Sequence, residues 1–190
     1  IMSDIFVDNI KQQSSQGSGT ITLGASGEKI TTATGAEFSG ITGQNYPAFE
    51  ASLGADQTIS NATYTTVSAS QENLDTDNAY DTSTYKFTPQ VAGKYFYYAQ
   101  IRFRIGGNNL NDLILRVLKN DTSTTVSNST FFAGSSDEQV TLYASGIVDM
   151  NGSTDNIFYQ GYASVSSGSP YFESAGSGNA SFFGAYRIGS

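Results

Sequence analysis

The chain has 190 residues, a length that suits one domain with an appendage, and a formal net charge of −8, which argues against nucleic acid or anionic lipid as partners of the bulk surface. It contains no histidine, which removes histidine triads, histidine metal ligands and histidine proton shuttles. It contains no cysteine either, so no disulfide supports the fold, and no apolar run is long enough to span a membrane. Aromatics make up 13% of the residues and Gly, Ser and Thr are abundant, a balance that favours short strands and tight turns over helices. No signal-peptide pattern opens the sequence, and Met2 reads as its natural start.

Residues 3–46 set short apolar pieces among Gly, Ser and Thr, with "ITLGASG", "ITTATGA" and "FSGITG" as a loose repeat. Such a segment cannot bury a core alone; it is either a linker or a thin stalk intertwined with copies of itself. Its opening, "SDIFVDNIK", alternates apolar and polar residues and offers Ile5, Val7 and Ile10 as an anchor that pairs with another protein. The expected organisation is therefore an N-terminal anchor and stalk over 1–46 and a head over 47–190.

From Pro47 onward the pattern becomes regular. Strands are expected over Ala48–Leu53, Thr63–Ala69, Tyr85–Thr88, Lys94–Ile105, Leu113–Leu118, Gln139–Val148, Asn156–Val165 and Ser181–Ile188. Turn signals such as "GADQ", "DTDN", "GGNN" and "DMNGSTDN" separate them. About eight to ten strands with no helical period imply an all-β sandwich, of which the jelly roll is the closed form. The longest strand, within "FTPQVAGKYFYYAQIRFRI", has one wholly apolar face: Tyr95, Tyr97, Ala99, Ile101, Phe103, Ile105. Its other face starts aromatic, with Phe96 and Tyr98, and ends polar. A strand with two aromatic faces at one end calls for a second partner beyond its own core.

The residues around this strand resemble the signature of the complement-q globular head, within the tumour-necrosis-factor-like superfamily. Asp75, Tyr80, Phe87, Gly93 and Tyr95 fall on its places, Tyr97 stands where the family has Phe, and Ala69 and Ala99 occupy positions where it prefers aromatics. "YPAFEASL" is similar to the family's first strand, and "ASFFGAYRI", with Phe183 and Gly184, to its last. The resemblance implies a jelly roll of about ten strands, assembled as a homotrimer with aromatics near the threefold axis. The residues leave open whether Tyr95 and Tyr97 or Phe96 and Tyr98 face that axis; the signature positions point to Tyr95 and Tyr97. Gly93 is read as a positive-φ turn before the strand.

Candidate chemistry is sparse. Asp75, Asp77 and Asp81 lie close in sequence, yet without the Glu and Gly of a calcium loop they read as turn formers, and no metal or cofactor is expected. No pair of carboxylates is placed for glycoside cleavage, so no catalytic residue is assigned and no enzyme is expected. Asn-x-Ser/Thr triplets at Asn61, Asn120, Asn128, Asn151 and Asn179 read as a product of composition. Tyr171 and Phe172 are candidates for stacking on sugars, with buried packing as the plainer role.

The leader over 1–46 resembles those of phage tail-fibre and head-decoration proteins. With it, the chain reads as a virion protein whose N-terminus meets capsid or tail proteins and whose trimeric knob is exposed, with host-surface glycans as a candidate ligand. The alternative is a secreted, complement-like recognition module of cellular origin.

Overall fold

The computed structural model describes residues 46–106, 109–121, 123–132, 139–174 and 180–189, and every regular element among them is a strand. In chain order these are β1 (Ala48–Ser52), β2 (Gln57–Thr58), β3 (Thr65–Thr66), β4 (Gln71–Asp75), β5 (Tyr80–Asp81), β6 (Lys86–Phe87) and β7 (Gly93–Arg104). They continue with β8 (Asn109–Lys119), β9 (Thr125–Phe132), β10 (Gln139–Met150), β11 (Ile157–Ser167), β12 (Tyr171–Phe172) and β13 (Phe182–Gly189). Seven of the described strands form one sheet and six the other, and every pairing is antiparallel. In the first sheet β7 lies between β10 on one side and β13 and β12 on the other; β1 and β4 follow β13, and β2 follows β12. The second runs β5-β6-β11-β8-β9, with β3 also against β11.

Period-two alternation builds the core between the sheets. From β7 come Tyr95, Tyr97, Ala99, Ile101 and Phe103; facing them are Leu113, Leu115 and Val117 of β8 and Tyr159 and Ala163 of β11, all buried. Each expected strand overlaps an observed one. The long polar strand β9, "TVSNSTFF", was not expected. It is an edge strand in which Val126 and Phe131 lean on the core while most other side chains face water, so its hydrophobic alternation is weak.

The aromatic signature forms one packed cluster. Phe49 stacks on Tyr80 at 4.7 Å and on Phe87 at 4.3 Å and meets Phe183 edge-on at 5.1 Å. Phe87 in turn meets Tyr95 at 5.7 Å. Asp75 positions this cluster from the β4–β5 turn: its carboxylate accepts the backbone N–H of Asp77, Ala79 and Tyr80 at 3.3, 3.0 and 2.8 Å. The five-residue interval between Asp75 and Tyr80 is thus a local geometric requirement, closing the turn so that the tyrosine drops under Phe49 and donates its hydroxyl to Ala69 O at 2.8 Å. Gly93 has φ +151°, and a Cβ there would lie 2.3 Å from Gly189 O, so the entry to β7 has room only for glycine.

One expectation is corrected here. Tyr95 and Tyr97 are 0% and 1% exposed within a single protomer, so they cannot meet a neighbouring subunit. Ala185 and Gly146 stand opposite Tyr97 on the two flanking strands, and these small residues give the inward ring its space. The anchor residues Ile5, Val7 and Ile10, and with them the stalk, lie outside the described residues.

Candidate functional site: the outward face of the first sheet

What the core does not take from β7 is Phe96 and Tyr98, on the opposite face. Cross-strand register places partners beside them. Ile147, Phe96, Tyr186 and Ala48 form one row across β10, β7, β13 and β1. Ser145, Tyr98, Gly184 and Glu50 form the next, reaching Leu74 of β4. Tyr143, Gln100 and Phe182 form a third. Phe96 lies 5.6 Å from Tyr186, and Tyr98 lies 6.1 Å from Phe182, ring centre to ring centre.

Phe96, Tyr98, Phe182 and Tyr186 are half-buried, whereas Tyr143 and Ile147 on the edge strand β10 are 64% and 61% exposed. A groove of about 350 Å³ runs between Phe96, Tyr98, Tyr143, Ser145 and Phe182. An exposed apolar patch rimmed by charge makes this face a candidate interface. The rim is present at both ends. Lys94 pairs with Asp149 at 2.6 Å, and at the other end Glu173 takes Arg104 at 3.1 Å and Arg102 at 3.4 Å.

Tyr98 is the most constrained member of the patch. Its ring passes over Gly184, where a Cβ would sit 2.4 Å from the ring, and its hydroxyl donates to Glu50 Oε2 at 2.7 Å. Glu50 Oε1 accepts from Asn73 at 3.3 Å. Burial, and then the bond to Glu50, push the Tyr98 phenol well above its usual range, so it stays a neutral donor. Gly184 therefore serves this outward site, while Phe183 beside it faces the core.

The other sequence candidates serve the fold. Tyr80, Phe87, Tyr95, Tyr97 and Phe183 are core residues, with Asp75 as their turn former. Phe172 is buried edge-on against Phe103 at 5.4 Å, which leaves no ring face for a sugar, and Tyr171 beside it is half-buried. Asp81 is occupied by Ser83 and Thr84, whose hydrogen bonds hold its carboxyl down at about 2. Tyr143, Ile147, Phe182 and Tyr186 went unassigned in the sequence. The available signal was a strand with aromatics on both alternating faces, as in Phe182 and Tyr186 against Phe183.

No protein-family model matches the chain, and no curated relative matches it. Solved structures do. The globular domain of zebrafish complement 1qA protein matches with a TM-score of 0.54 at 14% identity, over 75% of this chain and 97% of that one. Murine APRIL, crystallised at pH 5.0, matches with 0.55 at 15% identity, over 74% and 97%. Eiger TNF from S. frugiperda matches with 0.56 at 9% identity, over 77% and 94%. At such identities the likeness concerns architecture: the fold is a jelly roll of the kind seen in complement-q and tumour-necrosis-factor-like heads.

Proposed function

We propose that this chain is a non-enzymatic head that assembles as a homotrimer through the outward face of its first sheet. In this reading it forms the exposed knob of a phage fibre or decoration protein, with residues 1–46 as anchor and stalk. The observation that carries the assembly is the pairing of exposed Tyr143 and Ile147 on an edge strand with the half-buried aromatic patch beside them. An edge of one protomer set on the face of the next is a heterologous contact, of the kind that gives a closed ring when its rotation closes. Three copies is the number that the complement-q resemblance implies. A structural rather than catalytic role is supported by the acids near the face, which are committed to bonds: Glu50 to Tyr98 and Asn73, Glu173 to Arg102 and Arg104.

The virion setting rests on the character of the leader. The likeness to complement 1qA favours, as a second reading, a secreted recognition module. Labelling purified phage particles with an antibody against the head separates the two: label on the particle supports the first, and label confined to the cell exterior supports the second. Deleting residues 1–46 should leave the head folded and abolish incorporation into particles. Normal incorporation would contradict the anchor role.

A further inference from the structure

The opposite face of the sandwich holds a second constellation that the trimer does not use. On the outward side of the second sheet, Arg116 of β8 donates twice to one acceptor, Gln160 Oε1, from Nε at 3.1 Å and Nη2 at 2.7 Å. Gln160 is itself fixed by donating to Thr66 Oγ1 at 3.1 Å. The guanidinium lies 3.5 Å from the ring centre of Tyr64, and Tyr64 packs against Tyr162 at 5.0 Å. Asn128 of β9 stands directly opposite Arg116 in the ladder, exposed, and its side chain makes no hydrogen bond among the described residues.

Arg116 is thus held rigid by a neutral amide and a ring, and its charge meets no carboxylate among the described residues. In a chain of net charge −8 a half-buried, pre-oriented cation without a carboxylate among the described residues is a specific feature; Gln160 takes the Nε–Nη2 edge, which leaves the Nη1–Nη2 edge of the guanidinium to receive a carboxylate. Beside it, the part of Tyr64 left exposed by Arg116 and the half-buried Tyr162 give apolar ring surface for a sugar's C–H groups, and the exposed Asn128 amide opposite Arg116 offers a hydroxyl partner. We propose that Arg116, Tyr64, Tyr162 and Asn128 form a binding site for a carboxylate-bearing sugar, displayed on the outward face of the second sheet. This rests on the reading of the chain as an exposed knob and gives the glycan expected from the sequence a place to bind. Assembly through the first sheet leaves the site open to solvent, on the far side of each protomer.

The test is calorimetric titration of the full chain with sialyllactose and hexagalacturonate. Lactose and methyl-esterified hexagalacturonate serve as uncharged counterparts, and polyglutamate as an acidic peptide. At least one acidic sugar should bind, about tenfold or more tighter than its uncharged counterpart. Arg116→Gln should abolish that binding, Tyr64→Ala should weaken it, and Arg116→Lys should not restore it, because the lysine keeps the charge but loses the fork and the stacking. Asn128→Asp tests the site without loosening the sheet: a carboxylate opposite Arg116 should occupy the guanidinium and block binding in a chain of unchanged melting temperature. The proposal is overturned if neither acidic sugar binds, if the uncharged counterparts bind equally, if Arg116→Gln or Asn128→Asp binds normally, or if polyglutamate binds as well as the sugars. Native mass measured on the same samples keeps the two readings apart. A trimer without sugar binding sinks only this site; a monomer that binds sinks only the assembly.

Discussion

Asp75 sits at the surface end of β4, yet its carboxylate organises the aromatic core by holding three turn amides, those of Asp77, Ala79 and Tyr80. Removing it leaves those N–H groups without acceptors, at a cost of about 1–3 kcal/mol for the set. Asp75→Ala is therefore expected to lower stability by about 2 kcal/mol in denaturant titration. Asp75→Asn, which keeps a single acceptor oxygen, should lose less. Equal stability of all three chains would show that the turn closes without the carboxylate. Tyr98 is fixed in a comparable way, by Glu50 at its tip and by the absence of a side chain at Gly184. The glycine of the last strand thus shapes the outward face, although its motif partner Phe183 belongs to the core.

At the scale of the strand, parity separates the core-forming face of β7 from the face proposed for assembly. Tyr97→Glu would bury a charge with no partner, a penalty of several kcal/mol against a total stability of about 5–15 kcal/mol, so that variant should fail to fold. Phe96→Glu, one residue away, should leave a folded protomer that no longer assembles, read by circular dichroism together with native mass. If Phe96→Glu assembles normally while Tyr97→Glu dissociates but stays folded, the parity assignment is reversed. The alternation of β7 was legible in the sequence, as were most strands, because apolar residues recur every second position between clear turns. Which aromatic face looks outward was not. That depends on the small residues Gly146 and Ala185, which come from strands far along the chain and give the inward Tyr97 its space. Strand β9 was missed because an edge strand has one neighbour to satisfy and leaves most of its side chains to water, so polar residues suffice. The Arg116 and Tyr64 constellation was also illegible, since its members come from β8, β9, β11 and the approach to β3 and meet only across the sheet.

Among the described residues, a tyrosine-rich interior lies between two outward sheet faces. Burial raises the Tyr95 phenol to about 12 and pushes Tyr80, Tyr98 and Tyr159 up as well. Each favours its neutral form when folded, so the stability it contributes is intact below the ordinary tyrosine value of 10.0 and is lost as the pH climbs through its raised folded value, about 12 for Tyr95. An alkaline titration should accordingly show a cooperative loss of structure coinciding with late tyrosinate absorbance. Titration of all tyrosines near 10 with the fold intact would contradict these burial assignments. The face of Phe96 and Tyr98, with Tyr143 and Ile147 at its edge, is the surface proposed for assembly. The most direct measurement is the native mass of the full chain in solution, by light scattering on a size-exclusion column. A trimer would weigh three times the 20.2 kDa of one chain and persist on dilution, and this is the expected result. A stable species of one chain's mass would contradict it.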